Sequence, residues 1–118
     1  MGSLMKINCL ESYGEFDYNE WSILSLLDER DKKYTELCEG LDLSKPTVSK
    51  TLKKLSDRNL VKKLDNAQDN RVKIYSISKK GRDEFEKARK MVKMELKLLK
   101  CDIEKEIMRL EYRDKEFD

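Results

Sequence analysis

From Phe85 onward the 118-residue chain places apolar side chains at helical intervals for longer than a small domain can use. Phe85, Ala88, Val92, Leu96, Leu99, Ile103, Ile107 and Leu110 follow one another at steps of 3, 4, 4, 3, 4, 4 and 3. The mean step is close to the roughly 3.5–3.6 residues that keep a stripe on one side of a helix. A helix of about 33 residues reaches roughly 50 Å at 1.5 Å per residue, well beyond one small domain. Packing against the same chain accounts for the first turns, and the remaining stripe needs a partner. A second copy related by a two-fold axis is the simplest partner. A break near 100–102 is the alternative to one continuous rod.

The rest of the chain has room for one compact domain. Apolar residues make up 38% and charged residues 42%, so the core is modest and a shared apolar interface would help to stabilise it. Cys9, Cys38 and Cys101 are widely spaced and the chain has no histidine, which argues against a zinc site and leaves no cofactor expected. An odd number of cysteines without a secretion signal fits a reducing cytoplasm. Cys38 sits among apolar neighbours and reads as core, while nothing beside Cys9 or Cys101 is arranged to stabilise a thiolate. No run approaches the ~20 apolar residues that span a bilayer, so no membrane partner is expected. With no general base, phosphate loop or metal-water device, an enzyme is disfavoured.

The net charge of +2 hides a strong segregation. Residues 1–43 hold 4 basic and 10 acidic side chains, residues 44–82 hold 12 and 3, and residues 83–118 hold 10 and 11. The middle segment therefore carries an excess of +9 inside a nearly neutral chain. An ordinary solvated face mixes both signs, whereas a block of one sign is the footprint of a surface that displaces counterions from phosphates.

Local signals order the elements. Residues 6–16 read as an irregular or weakly helical arm. Asp17 and Glu20 can form a capping box, with Phe16 and Trp21 as its hydrophobic staple, opening a helix to about Glu29. Trp21, Leu24 and Leu27 share one face, which Ile23 and Leu26 widen. Asp28 to Lys33 make a polar connection. Thr35 caps a short second helix that buries Leu37, Cys38 and Leu41 and ends near Gly40 with a left-handed residue. Ser44 caps a third, with Pro46 in its first turn, where a missing amide proton costs little. Val48, Leu52 and Leu55 face inward, leaving Thr47, Ser49, Lys50, Lys53 and Lys54 outward. Asn59 closes that helix. Residues 60–64 and 72–77 pair across a long turn as a projecting hairpin, and Ser78 caps the last helix.

Helix, short helix, turn, helix and hairpin make the order of a winged helix-turn-helix. The run from Leu37 to Ser49, the Leu52-x-x-Leu55 pair with Asn59-Leu60-Val61, the Asp69-Asn70-Arg71 tip, and Ile77-Ser78-Lys79-Lys80-Gly81 together resemble the MarR-type regulators over about residues 20–85. The resemblance implies a mainly α fold with a small β-hairpin and a long C-terminal dimerisation helix. It divides the chain into an arm (1–15), a winged helix-turn-helix domain (16–82) and a dimerisation helix (83–118). It also implies a sequence-specific, homodimeric regulator of transcription on double-stranded DNA, with repression the favoured sense. The helix from Lys45 to Arg58 would enter the major groove, where Thr47, Ser49 and Lys50, with Lys45 or Pro46, meet base edges. Lys53 and Lys54 would meet phosphates. Arg71 would enter the minor groove, oriented by Asp69.

This sequence departs from that family in having Asn59 where glycine is usual. Only about sixteen residues precede the first core helix, so a small-molecule effector pocket is unsupported. The element order also resembles PadR-like and ArsR-like regulators, but the metal-binding cysteines of the latter are absent. The competing reading is a winged-helix docking module whose tail forms a heteromeric coiled coil. Such a module would carry an apolar outer face on the third helix, and here that face is basic.

Overall fold

The computed structural model describes residues 12–117 apart from Ala67 and Asn70. Most of the expected arm lies outside the described residues, as does Cys9. The chain runs α1 (Tyr18–Glu29), β1 (Lys32–Lys33), α2 (Tyr34–Gly40), α3 (Lys45–Asp57), β2 (Val61–Asp65), β3 (Lys73–Ile77) and α4 (Lys79–Phe117). The three strands form an antiparallel sheet in the order β1-β3-β2. Ile23, Leu24, Leu27, Leu37, Val48, Leu55 and Leu60 are fully buried and form the centre of a core that all four helices share.

The helix ends follow from their capping residues. The Asp17 carboxylate accepts the Glu20 amide at 2.8 Å, and the Glu20 carboxylate accepts the Asp17 amide at 3.0 Å. Ser44 caps α3, with Pro46 in the first turn. Asn59 closes α3 at a φ of 61°. There the Asn59 amide donates to Ser56 at 2.9 Å and the Leu60 amide to Leu55 at 3.0 Å, the paired bonds of a Schellman turn. The Ser78 hydroxyl accepts the Gly81 amide at 2.9 Å and so starts α4. Upstream, Tyr13 and Phe16 form a small bridge around Gly14, which packs directly on Ala88 of α4.

Some expectations fail for physical reasons. The polar connection contains β1, because Lys32 and Lys33 pair with Tyr75 and Ile74 along the free edge of β3. Two lysines carry no strand signal of their own, so the pairing comes from the neighbouring strand. The second helix starts at Tyr34 rather than Thr35, and its first turn is held by the Glu36 carboxylate accepting the Lys33 amide at 2.9 Å. Gly40 stays inside that helix, which ends where Leu41 turns extended and buries its side chain. Cys38 is only partly buried against the core.

The last helix is unbroken across residues 100–102 and runs for 39 residues, about 58 Å at the usual rise. Its stripe divides. Phe85, Ala88 and Val92 are 4%, 3% and 6% exposed within the single chain, so they are core residues rather than surface awaiting a subunit. Phe85 packs on Trp21 with ring centres 4.8 Å apart, and Trp21 stacks on Tyr13. Beyond Val92 the stripe is open, with Ile103 56% exposed and Ile107 49%.

The tightest junction lies where α3, β2 and α4 meet. The Ser78 amide donates to the Leu60 carbonyl at 2.9 Å, and a Cβ on Gly81 would lie 2.1 Å from that same oxygen. Backbone held from three sides cannot retreat. Gly81→Ala is expected to lower the unfolding free energy by about 1–3 kcal/mol, in the range of other overpacked sites. Urea unfolding measures this directly, and an unchanged midpoint would contradict it.

Candidate nucleic-acid interface

At 100° per residue, α3 buries Val48, Thr51, Leu52 and Leu55 and turns Pro46, Ser49, Lys50 and Lys53 outward. Lys45 is exposed at its start. Two expected contact residues lie on the flank towards α1. Thr47 is half-buried, and its hydroxyl shares a 2.8 Å hydrogen bond with Ser44 at the cap. The Lys54 ammonium lies 3.4 Å from the Asp17 carboxylate at the start of α1. Arg58 completes this tie, reaching Glu20 at 3.3 Å and Glu84 at 3.6 Å with its guanidinium over the Phe16 ring. These contacts fix the orientation of α3 on α1.

On the opposite flank α3 faces the hairpin across a groove of about 420 Å3. Ser49, Lys53 and Ser56 line it from α3, Lys63, Lys73 and Tyr75 from the hairpin, and Tyr34 from α2. The strand register explains the hairpin's share. Val61 pairs with Ile77, Lys63 with Tyr75 and Asp65 with Lys73. Since alternate residues share a face, Lys63, Tyr75 and Lys73 continue the face that Val61 and Ile77 bury in the core. A second hollow of about 360 Å3 follows on, lined by Lys33, Tyr34, Thr35, Arg71, Val72 and Lys73. None of the side chains lining either hollow is acidic. Burial, reinforced by the nearby Tyr34 hydroxyl, pushes the Tyr75 phenol above its ordinary value and keeps it a neutral donor.

The wing tip is preorganised by one carboxylate. Asp69 Oδ1 accepts the Arg71 amide at 2.9 Å and Arg71 Nε at 3.2 Å, while Asn66 Oδ1 accepts the Gln68 amide at 2.9 Å. The Arg71 side chain nevertheless remains 93% exposed. A hydrogen-bonded but open guanidinium has little ordering entropy left to lose when it meets an anion.

The groove assembles Ser49 and Lys53 from among the residues expected at the sequence level, and the adjoining hollow contains Arg71. Sequence reading missed Lys63, Lys73 and Tyr75, although counting in twos from Val61 and Ile77 would have found them. It also missed Lys33 and Tyr34, for which no local signal exists.

A helix presented beside a two-stranded wing, above a core shared by all four helices and with a basic concave face, defines a winged helix-turn-helix protein. The sequence matches the family Transcriptional regulator SarA/Rot over residues 7–88, and the chain belongs to that family of regulators. No curated protein matched it by sequence. Among solved structures, the regulator BldR from Sulfolobus solfataricus superposes with a TM-score of 0.67 at 22% identity, over 70% of this chain and 60% of that one. A mutant of ZitR from Lactococcus lactis gives 0.67 at 24% identity, over 96% and 84%. A mutant of MarR from E. coli, solved with operator DNA, gives 0.64 at 18%, over 70% and 59%. At these identities the likeness is one of fold, and it spans less than two thirds of the BldR and MarR chains.

Glu36 ties this face to the rest of the fold by holding the Lys33 amide next to Tyr34. Its hydrogen bond from Arg30, and then that from Lys33, lower its carboxyl from the ordinary 4.5 to about 2. A lowered folded-state pKa contributes stability that is complete above pH 4.5 and fades as the pH falls towards 2. NMR titration should place the Glu36 carboxyl well below its ordinary value, and Glu36→Gln should flatten the acid limb of the stability curve. A Glu36 that titrates normally would contradict this.

Proposed function

We propose that this regulator binds double-stranded DNA as a homodimer, sequence-specifically, and represses transcription by occupying promoter DNA. The observation that carries the reading is the concave face on which Lys33, Lys53, Lys63, Lys73 and Arg71 converge, with no acidic side chain among those that line it and with Asp69 pairing Arg71 at the tip. Such a surface gains affinity by releasing counterions from phosphates. Pro46, Ser49 and Lys50, with Lys45 and Thr47 at the leading end of α3, meet base edges in the major groove. Lys53, Lys63 and Lys73 carry the phosphate backbone along the groove, and Lys54 divides its charge between the Asp17 carboxylate and the duplex. Arg71, held by Asp69, enters the adjacent minor groove. The E. coli MarR mutant, which shares this fold, was solved with operator DNA, and that supports duplex DNA as the partner.

The dimer uses the open part of α4. Leu96, Ile103, Ile107 and Leu110, with the half-buried Leu99 between them, form a stripe that a single chain leaves largely in water, and a second copy covers it by symmetry. DNA as the target implies action in the cytoplasm, and binding rather than catalysis. None of the described helices is long and apolar enough to cross a membrane. A docking module is the weaker reading, because the outer face of α3 is hydroxylated and cationic rather than apolar.

Three measurements test this. Affinity for a selected palindrome with half-sites about 10 bp apart should fall with salt on a log–log slope of several units. Arg71→Ala should weaken specific binding by roughly 1–3 kcal/mol while leaving the thermal midpoint unchanged. Salt-independent binding, or full affinity in the variant, would refute the electrostatic account. Leu99→Glu with Ile103→Glu should give monomers in sedimentation, and a persistent dimer would exclude this stripe as the interface.

A further inference from the structure

Three hydroxyl groups on the helices of this chain share a habit that Ser49 does not follow. Ser22 donates to the Tyr18 carbonyl at 2.7 Å, Ser25 to Trp21 at 2.8 Å and Thr51 to Thr47 at 2.7 Å, each to the residue four positions earlier. The equivalent acceptor for Ser49 is the Lys45 carbonyl. That oxygen instead accepts the Tyr34 hydroxyl at 3.1 Å. Tyr34 and Ser49 are in turn 2.8 Å apart, oxygen to oxygen.

Counting protons settles the direction of that second bond. A carbonyl has no proton to give, so the single phenolic proton of Tyr34 goes to Lys45. The phenolic oxygen then accepts, and the proton between the two hydroxyls belongs to Ser49. Its own proton committed, the exposed Ser49 oxygen offers only lone pairs to anything entering the groove. A freely rotating serine hydroxyl reads donors and acceptors alike and carries little information about a base. A hydroxyl whose proton is engaged reads only donors.

We infer that Tyr34 makes Ser49 a one-way acceptor. At the base it faces, Ser49 selects an exocyclic amine, adenine N6 or cytosine N4, over the keto oxygen of guanine or thymine. Tyr34 is thus a positioning residue for sequence readout: it sits outside the recognition helix and acts through Ser49. The inference rests on the DNA-binding reading above and adds a chemical preference to it. Removing the phenolic hydroxyl frees the Lys45 carbonyl. Ser49 then turns back along its own helix or rotates freely, and the amine preference goes with it.

The test is selection from randomised duplex DNA, read by sequencing, with the wild type, Tyr34→Phe, Ser49→Ala and the double variant. The wild type should favour A or C over G or T by about tenfold at one position of each half-site. Tyr34→Phe and Ser49→Ala should each reduce that preference to within about twofold at that same position and leave the other positions unchanged. The double variant should be no worse than either single one, as expected of two residues acting through one contact. The inference is overturned if Tyr34→Phe keeps the preference, if it weakens all sequences equally, or if Ser49→Ala relaxes a position where G or T was preferred. A wild type that enriches no sequence would sink the DNA-binding reading itself and this inference with it, whereas the preceding failures leave that reading intact. Thermal midpoints of the variants within a few degrees of the wild type show that folding does not explain the result.

Discussion

One backbone carbonyl holds the working parts of this protein in register. The Leu60 oxygen accepts the Ser78 amide, sits one residue past the left-handed Asn59 that ends α3, and lies so close to Gly81 that no side chain fits there. Recognition helix, wing and tail helix all start or stop within a few residues of it. The angle between α3 and the hairpin is thus set by short-range covalent geometry and a few hydrogen bonds, rather than by the packing of large surfaces. Such a joint suits a small domain, whose core is too modest to orient three elements by burial alone.

The charge segregation visible along the chain becomes a division of labour in space. Acidic residues of the first segment are used inside the fold. Asp17 and Glu20 cap α1 and reach across to Lys54 and Arg58, and Glu36 holds the start of α2. Exposed pairs of this kind contribute little stability one by one. Their effect is to draw the cations on one flank of α3 into the fold and leave those on the other flank unpaired. The field of the basic block therefore emerges between α3 and the wing, where the lining side chains are cationic or hydroxylated apart from Leu52 and Val72.

Sequence reasoning recovered what is local. Caps at Asp17, Ser44 and Ser78, the left-handed Asn59 and the inward stripe of Val48, Leu52 and Leu55 are each encoded within four residues, and each is present in the fold. It failed where a feature depends on a distant edge. β1 exists only because β3 offers a free edge to Lys32 and Lys33, and Tyr34 meets Ser49 fifteen residues away only after α2 has packed across α3. Lys63 and Lys73 lie between these cases. Strand parity places them, but only once Val61 and Ile77 are known to be the inward pair. Composition located the basic block; it could not say which of its cations the fold would neutralise.

The tail shows why a continuous pattern need not have one purpose. Phe85, Ala88 and Val92 face the core because Gly14 and Trp21 lie beside them, whereas Leu96, Ile103, Ile107 and Leu110 further along are exposed. Between Val92 and Leu110 the helix rises about 27 Å. In the proposed dimer, the level at which two such tails cross fixes the distance between the two grooves. Moving the crossing from Leu96 to Ile107 lengthens each arm by about 16 Å, roughly half a turn of B-form DNA per subunit. In that proposed dimer, an uninterrupted helix without glycine or proline after Gly81 would act as a ruler. The register of its apolar residues, which contributes little to the fold of one chain, determines which spacing of half-sites two chains can bind together.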